Sequence, residues 1–194
     1  MADAVKRLAE LGEEIDYGAT MEMNGPIETP VAEAAPALPV GMAALVTLGL
    51  VAVIAGFVAI GIAAGIAPLY AGFLILWYFG SVHNLETKSL PALFVGALAG
   101  LGTSWLIQYG ATHWGATGAL PGLIIIIVAI FFQLAGWLPL VINRAFMLYV
   151  TVLGAATLQL HEDFGQVALA IVAGTLYFGG IVFLGKLVAA KRAG

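Results

Sequence analysis

The side chains able to do acid–base or metal chemistry in the apolar part of this sequence are few: His83, His113 and His161, with Glu162 and Asp163 beside the last. His161-Glu162-Asp163 sets three ligand-type residues in a row. No second histidine follows at helical spacing, and the run reads as a solvated turn rather than a metal site. There is no HExxH, no phosphate-cradling GxxxxGK[ST] and no serine elbow. With no cysteine in the chain, thiolate chemistry and disulfides are excluded as well. The expectation is a protein that is not an enzyme and holds neither metal nor cofactor.

The remaining chemistry is that of polar groups set among apolar ones, where each needs a partner. Gln133, in AIFFQLAGW and expected near the middle of a membrane span (119–141), carries two donors and an acceptor and cannot satisfy itself easily. It is read as a pathway-lining residue or as glue between helices. Thr103 and Thr151 are read with it as lining residues, though a threonine also bonds back to its own helix. Trp105 and Phe132 are the aromatics placed deep enough to line a narrow path. Arg144, following Asn143, is read as a mouth that draws an anionic or dipolar solute, or else as a topogenic charge among headgroups. Gly96 and Gly100 form a GxxxG, a close-packing surface for a second helix.

The elements that position these residues follow from composition. The chain has 194 residues, 62% hydrophobic and 9% charged, with a mean hydropathy of +1.05. Soluble domains carry about 25% charged residues, so a water-solvated globule is excluded. No Asp, Glu, Lys or Arg occurs between Glu33 and Glu86. A spanning helix needs roughly 20 apolar residues. Six runs qualify: 38–60, 64–80, 90–109, 119–141, 145–159 and 167–189, the second and fifth being short. The fold class is all-α, an integral membrane bundle of about six transmembrane helices occupying 38–190.

Residues 1–37 precede it as an acidic extension. Val5, Leu8, Leu11 and Ile15 recur at helical spacing, which predicts a short amphipathic helix that lies on the bilayer or docks a partner. The extension holds most of the acids behind the net charge of −4, which speaks against nucleic acid. It has no apolar signal-peptide core. With six spans, all Lys and Arg fall on one side, which the positive-inside rule makes cytoplasmic, together with both termini. Spans three and six both carry small residues at mid-length, and spans two and five are the short pair. A three-plus-three inverted repeat is one reading of this; the general likeness of Gly-rich helices is the other.

Residues 45–189 resemble the YcdZ-type bacterial inner-membrane proteins, a family of unknown function. The resemblance rests on Ala71-Gly72-Phe73-Leu74, then Tyr78-Phe79, Lys88, Trp105 ahead of Tyr109-Gly110, and Gly154 before an acidic loop. The long acidic extension departs from that pattern. The resemblance implies an inner-membrane protein of about six spans and carries over no substrate or site residue. The function expected from the whole sequence is a channel or facilitator for a small neutral or weakly charged solute (a urea, an amide, a short carboxylic acid) working as a homo-oligomer. The alternative is a structural or accessory subunit of a larger membrane assembly.

Overall fold

The computed structural model describes residues 39–155, 158 and 161–193; the expected helix within 1–37 lies outside them. The chain divides into two units, Met1–Thr47 and Leu48–Gly194, and the packing given below belongs to the second. Helices whose full extent lies among the described residues follow in chain order: α1 Val40–Ala63, α2 Leu69–Ser81, α3 Leu90–Trp114, α4 Leu120–Leu134, α5 Arg144–Leu153 and α6 Phe164–Ala193. Among the described residues there is no strand. Short 3-10 turns, Thr87–Ser89 and Gly115–Ala119, lead into α3 and α4. Pro91 and Pro121 stand in the first turns of these two helices, where a missing N–H costs nothing.

Three stretches are long and apolar enough to cross a membrane: Val40–Ala63, Thr87–Leu134 (α3 and α4 with the turn between them) and Phe164–Arg192. Ile124, Ile127, Phe131 and Leu134 of α4 and Leu169, Leu176 and Leu184 of α6 are exposed, the surface of a membrane protein rather than a soluble one. α2 and α5 are shorter than the apolar runs that encode them. With 13 and 10 residues they rise about 20 Å and about 15 Å, less than the roughly 30 Å of hydrocarbon.

Two glycine stops that hydropathy does not register break the apolar runs, one ahead of α2 and one at the end of α4, while α5 ends at Leu153 with Gly154 as its C-cap. α1 closes at Gly65, with φ +68°, and α4 at Gly136, with φ +70°. In the first, Ile66 N–H donates to Gly61 C=O at 2.9 Å and Gly65 N–H to Ile62 C=O at 3.1 Å. In the second, Trp137 N–H donates to Phe132 C=O at 2.8 Å and Gly136 N–H to Gln133 C=O at 3.3 Å. Both are Schellman closures, which demand a left-handed residue and so favour glycine. A proline stands three positions beyond each, Pro68 and Pro139.

α2, α3, α5 and α6 share one core, in which Ile75, Leu93, Tyr149, Leu153, Val167 and Ile171 are fully buried. α3 and α6 run antiparallel, with Leu90 against Gly179 at one end and Gln108 beside Glu162 at the other. α3 packs on α5 through Gly96 and Gly100: a Cβ at Gly100 would stand 2.6 Å from the Phe146 carbonyl oxygen. α6 packs on α2 in the same manner, since a Cβ at Gly174 would stand 2.7 Å from Gly72 Cα. One register relates the two pairs. Buried Ala71, Gly72, Ile75 and Phe79 of α2 recur in α5 as Ala145, Phe146, Tyr149 and Leu153. Buried Leu93, Gly96, Ala97, Gly100 and Ser104 of α3 recur in α6 as Val167, Ala170, Ile171, Gly174 and Phe178. Each lies 74 positions after its counterpart, as Gly174 does after Gly100.

Candidate functional site

Polar side chains gather at both ends of the four-helix core. At the first end, α2 runs out through Tyr78 into a tight turn in which Asn84 and Leu85 take φ of 45° and 59°. Lys186 Nζ holds this turn by donating to Leu85 C=O at 2.8 Å. Opposite it stands the loop between α4 and α5, where Leu138 takes φ of 52°. The N–H groups of Val141 and Ile142 both donate to Leu138 C=O at 2.9 Å, which holds that conformation. Between the two turns lies a cavity of about 290 Å³ lined by Tyr78, Val82, His83, Ala92, Leu93, Pro139, Asn143 and Arg144. The His83 ring meets Tyr78 edge-on, with centroids 5.3 Å apart.

Asn143 and Arg144 thus meet at one cavity, with different roles. The Asn143 amide is fully engaged. Its Oδ1 caps α5, accepting from Ala145 N–H at 2.9 Å and Phe146 N–H at 3.2 Å. Its Nδ2 donates to Ala92 C=O at 2.8 Å and to Pro139 and Leu140 C=O at 3.2 Å each. Gly96 leaves the room for this side chain. Asn143 is a clamp joining α3, the loop and α5, while Arg144 is exposed at the cavity mouth.

The opposite end carries a second polar group. Ser104 is fully buried on α3, and Gln108 one turn later donates from Nε2 to the Glu162 carbonyl at 3.5 Å. The buried Tyr70 hydroxyl of α2 faces the Glu162 side chain. The buried Oε1 of Gln166 has no hydrogen-bond partner among the described residues. Beneath them the Tyr149 hydroxyl donates to the Ala71 carbonyl and ties α5 to α2 across the core. The four-residue spacings of Ser104 with Gln108 and of Glu162 with Gln166 could have signalled this cluster; Tyr70 stands alone in sequence.

The five residues expected to line a path do not converge. Gln133 is the penultimate residue of α4, half-buried in its last turn, not at mid-span. Phe132 packs with Phe131 and Trp137 in a separate aromatic group. Thr151 is exposed and bonds back to Met147 C=O at 2.7 Å, as Thr103 does to Ala99 C=O at 3.0 Å. Trp105 is exposed and stacks on Tyr109 at 5.3 Å. Gln133→Leu is therefore expected to shift stability by no more than about 0.5 kcal/mol, as for a surface position. The thermal unfolding midpoint in detergent checks it.

Among the described residues no group of three or more His, Asp or Glu is placed to hold a metal ion. No family model, curated protein or solved structure matches the chain.

Proposed function

We propose that the chain is a multi-pass inner-membrane facilitator for a small neutral or weakly charged solute, built as an inverted repeat of two three-helix halves. The observation that carries this reading is the common register of the halves. Gly65 and Pro68 recur as Gly136 and Pro139. Beyond a three-residue insertion, Leu140–Ile142, the buried positions of α2 and α3 recur in α5 and α6. Three helices per half place the copies in opposite orientations, the architecture from which many transporters are made. Short helices in corresponding places, here α2 and α5, are where such proteins build their substrate sites.

In this reading α1 to α6 each traverse the membrane, with α2 and α5 as partial spans buried against long neighbours. Lys88, Arg144 and Lys186 fall at the end that holds the cavity, and His113, Glu162 and Asp163 at the other. The positive-inside rule makes the first end cytoplasmic. The path runs from the cavity at Arg144 toward the cluster around Gln108 and Gln166. Ile75, Leu93, Tyr149 and Ile171 close it in this conformation.

Reconstituted vesicles provide the test. Urea, acetamide or acetate is expected to enter faster than into protein-free vesicles. Tyr149→Phe, which releases α5 from the Ala71 carbonyl, is expected to raise flux per folded subunit several-fold. If no solute enters faster in either protein, the reading is sunk. The filled interior favours a second reading, an accessory subunit; its mark is a partner that copurifies in fixed ratio.

A further inference from the structure

We propose that the cavity between Tyr78, His83 and Arg144 is an oxyanion site, taking a carboxylate or a phosphodiester. It deepens the facilitator reading by naming the chemistry of one end of the path. Three observations carry it. First, the lining holds a guanidinium, an imidazole and a phenol, and no carboxylate. Second, the Asn143 amide spends its donors on Ala92, Pro139 and Leu140, which leaves Arg144, His83 and Tyr78 to meet an occupant. Third, the wall formed by Pro139, Asn143 and Arg144 flanks the three-residue insertion Leu140–Ile142, where the second half departs from the register that relates α2 and α3 to α5 and α6.

About 290 Å³ admits a small anion with some of its water, not a large solute. An Arg presents paired N–H donors that match two oxygens of one carboxylate or phosphate. Tyr78 O–H and a ring N–H of His83 add donors from the facing wall. In lipid, the same chemistry is offered by the phosphodiester of a headgroup as by a free acid.

The test uses the full chain in uncharged detergent and saturation-transfer NMR with acetate, dimethyl phosphate and acetamide at fixed ionic strength. Acetate and dimethyl phosphate are expected to saturate and compete with one another, and acetamide to displace neither. Arg144→Gln is expected to weaken both by roughly tenfold. Arg144→Lys, which keeps the charge and loses the fork, falls between. His83→Gln weakens both by a smaller factor. Arg192→Gln, an exposed position in the last turn of α6, leaves both unchanged. Arg144 is exposed, so its variants are expected to keep the wild-type unfolding midpoint, which is checked alongside.

A second arm identifies the source. Phosphatidylglycerol retained in native mass spectra, displaced by acetate and lost in Arg144→Gln, assigns the site to a headgroup. Acetate binding without retained lipid assigns it to a free acid. Binding unchanged in Arg144→Gln, equal displacement by acetamide, or no saturable binding of either anion overturns the proposal. Because binding is read without flux, a failure of the transport reading shows separately in vesicles.

Discussion

Gly100→Ala and Gly174→Ala are each expected to destabilise the folded chain by about 2 kcal/mol, while Gly102→Ala and Gly180→Ala stay within about 0.5 kcal/mol of wild type or gain slightly. The contrast is geometric, since all four glycines lie in helices of the same apolar character. A methyl at Gly100 would sit 2.6 Å from the Phe146 carbonyl oxygen and 3.0 Å from Tyr149 Cβ. One at Gly174 would sit 2.7 Å from Gly72 Cα and 3.0 Å from its carbonyl oxygen. In both cases the obstacle includes backbone, which cannot rotate away, so α5 or α2 must retreat from its partner. At Gly102 and Gly180 nothing lies within 4 Å of the added carbon.

In a membrane the loss is not recovered elsewhere. Helices there associate through close packing and hydrogen bonds rather than by escaping water, and a separated pair forfeits its contacts outright. Unfolding midpoints measured by heating and size-exclusion in detergent decide the matter. A wild-type midpoint for Gly100→Ala would remove the close approach of α3 and α5 from the account. Matching losses at Gly100 and Gly174 are also what an inverted repeat requires, since Phe146 and Gly72 occupy equivalent places.

A helix in each of the six apolar runs is legible in the sequence because 15 to 23 largely apolar residues in succession leave little alternative. Where the helices stop was less legible. Counting apolar residues carries one span through 119–141, across Gly136, Trp137, Leu138 and Pro139, because Trp137 and Leu138 are apolar and none of the four is charged. The stop is conformational, a glycine in the left-handed region. It moved Gln133 from an expected mid-span position to the end of α4. The Gly-x-x-Pro pair, 65–68 and 136–139, is the signal for both stops. Mid-helix small residues are too common in membrane helices to fix a register.

The candidate site was legible in part for a similar reason. Arg144 and Asn143 are adjacent at the edge of an apolar run, so proximity in sequence guaranteed proximity in space. Tyr78 and His83 join them only because α2 and the loop before α5 end at the same side of the core. The cluster of Tyr70, Ser104, Gln108, Glu162 and Gln166 draws on three chain segments; helical spacing pairs Ser104 with Gln108 and Glu162 with Gln166, but nothing local joins one segment to another.

Asn143 is expected to be the position least tolerant of a conservative change. Asp is ordinarily as good an N-cap as Asn, and at most helix starts the exchange is nearly neutral. Here the Oδ1 cap is half of the function. Nδ2 donates to the carbonyls of Ala92, Pro139 and Leu140, and a carboxylate would turn an acceptor toward all three. Asn143→Asp is therefore expected to cost roughly 2–4 kcal/mol, no less than Asn143→Ala, which loses the cap at about 1 kcal/mol and strands the same carbonyls. Because Arg144 stands next in the chain, Asn143→Ser supplies the uncharged comparison. It keeps a cap oxygen and has no amide donors, so its midpoint is expected between wild type and Asn143→Ala. An Asn143→Asp protein as stable as wild type would show that the three carbonyl bonds contribute nothing. Gly96 completes the test, for its missing Cβ is the space that the Asn143 amide fills. Gly96→Ala alone must expel that amide and lose the clamp; in an Asn143→Ala background the obstacle is gone. The two losses are expected to fall short of adding by 1 kcal/mol or more, about the coupling of residues in direct contact. Additive losses would separate the glycine from the clamp.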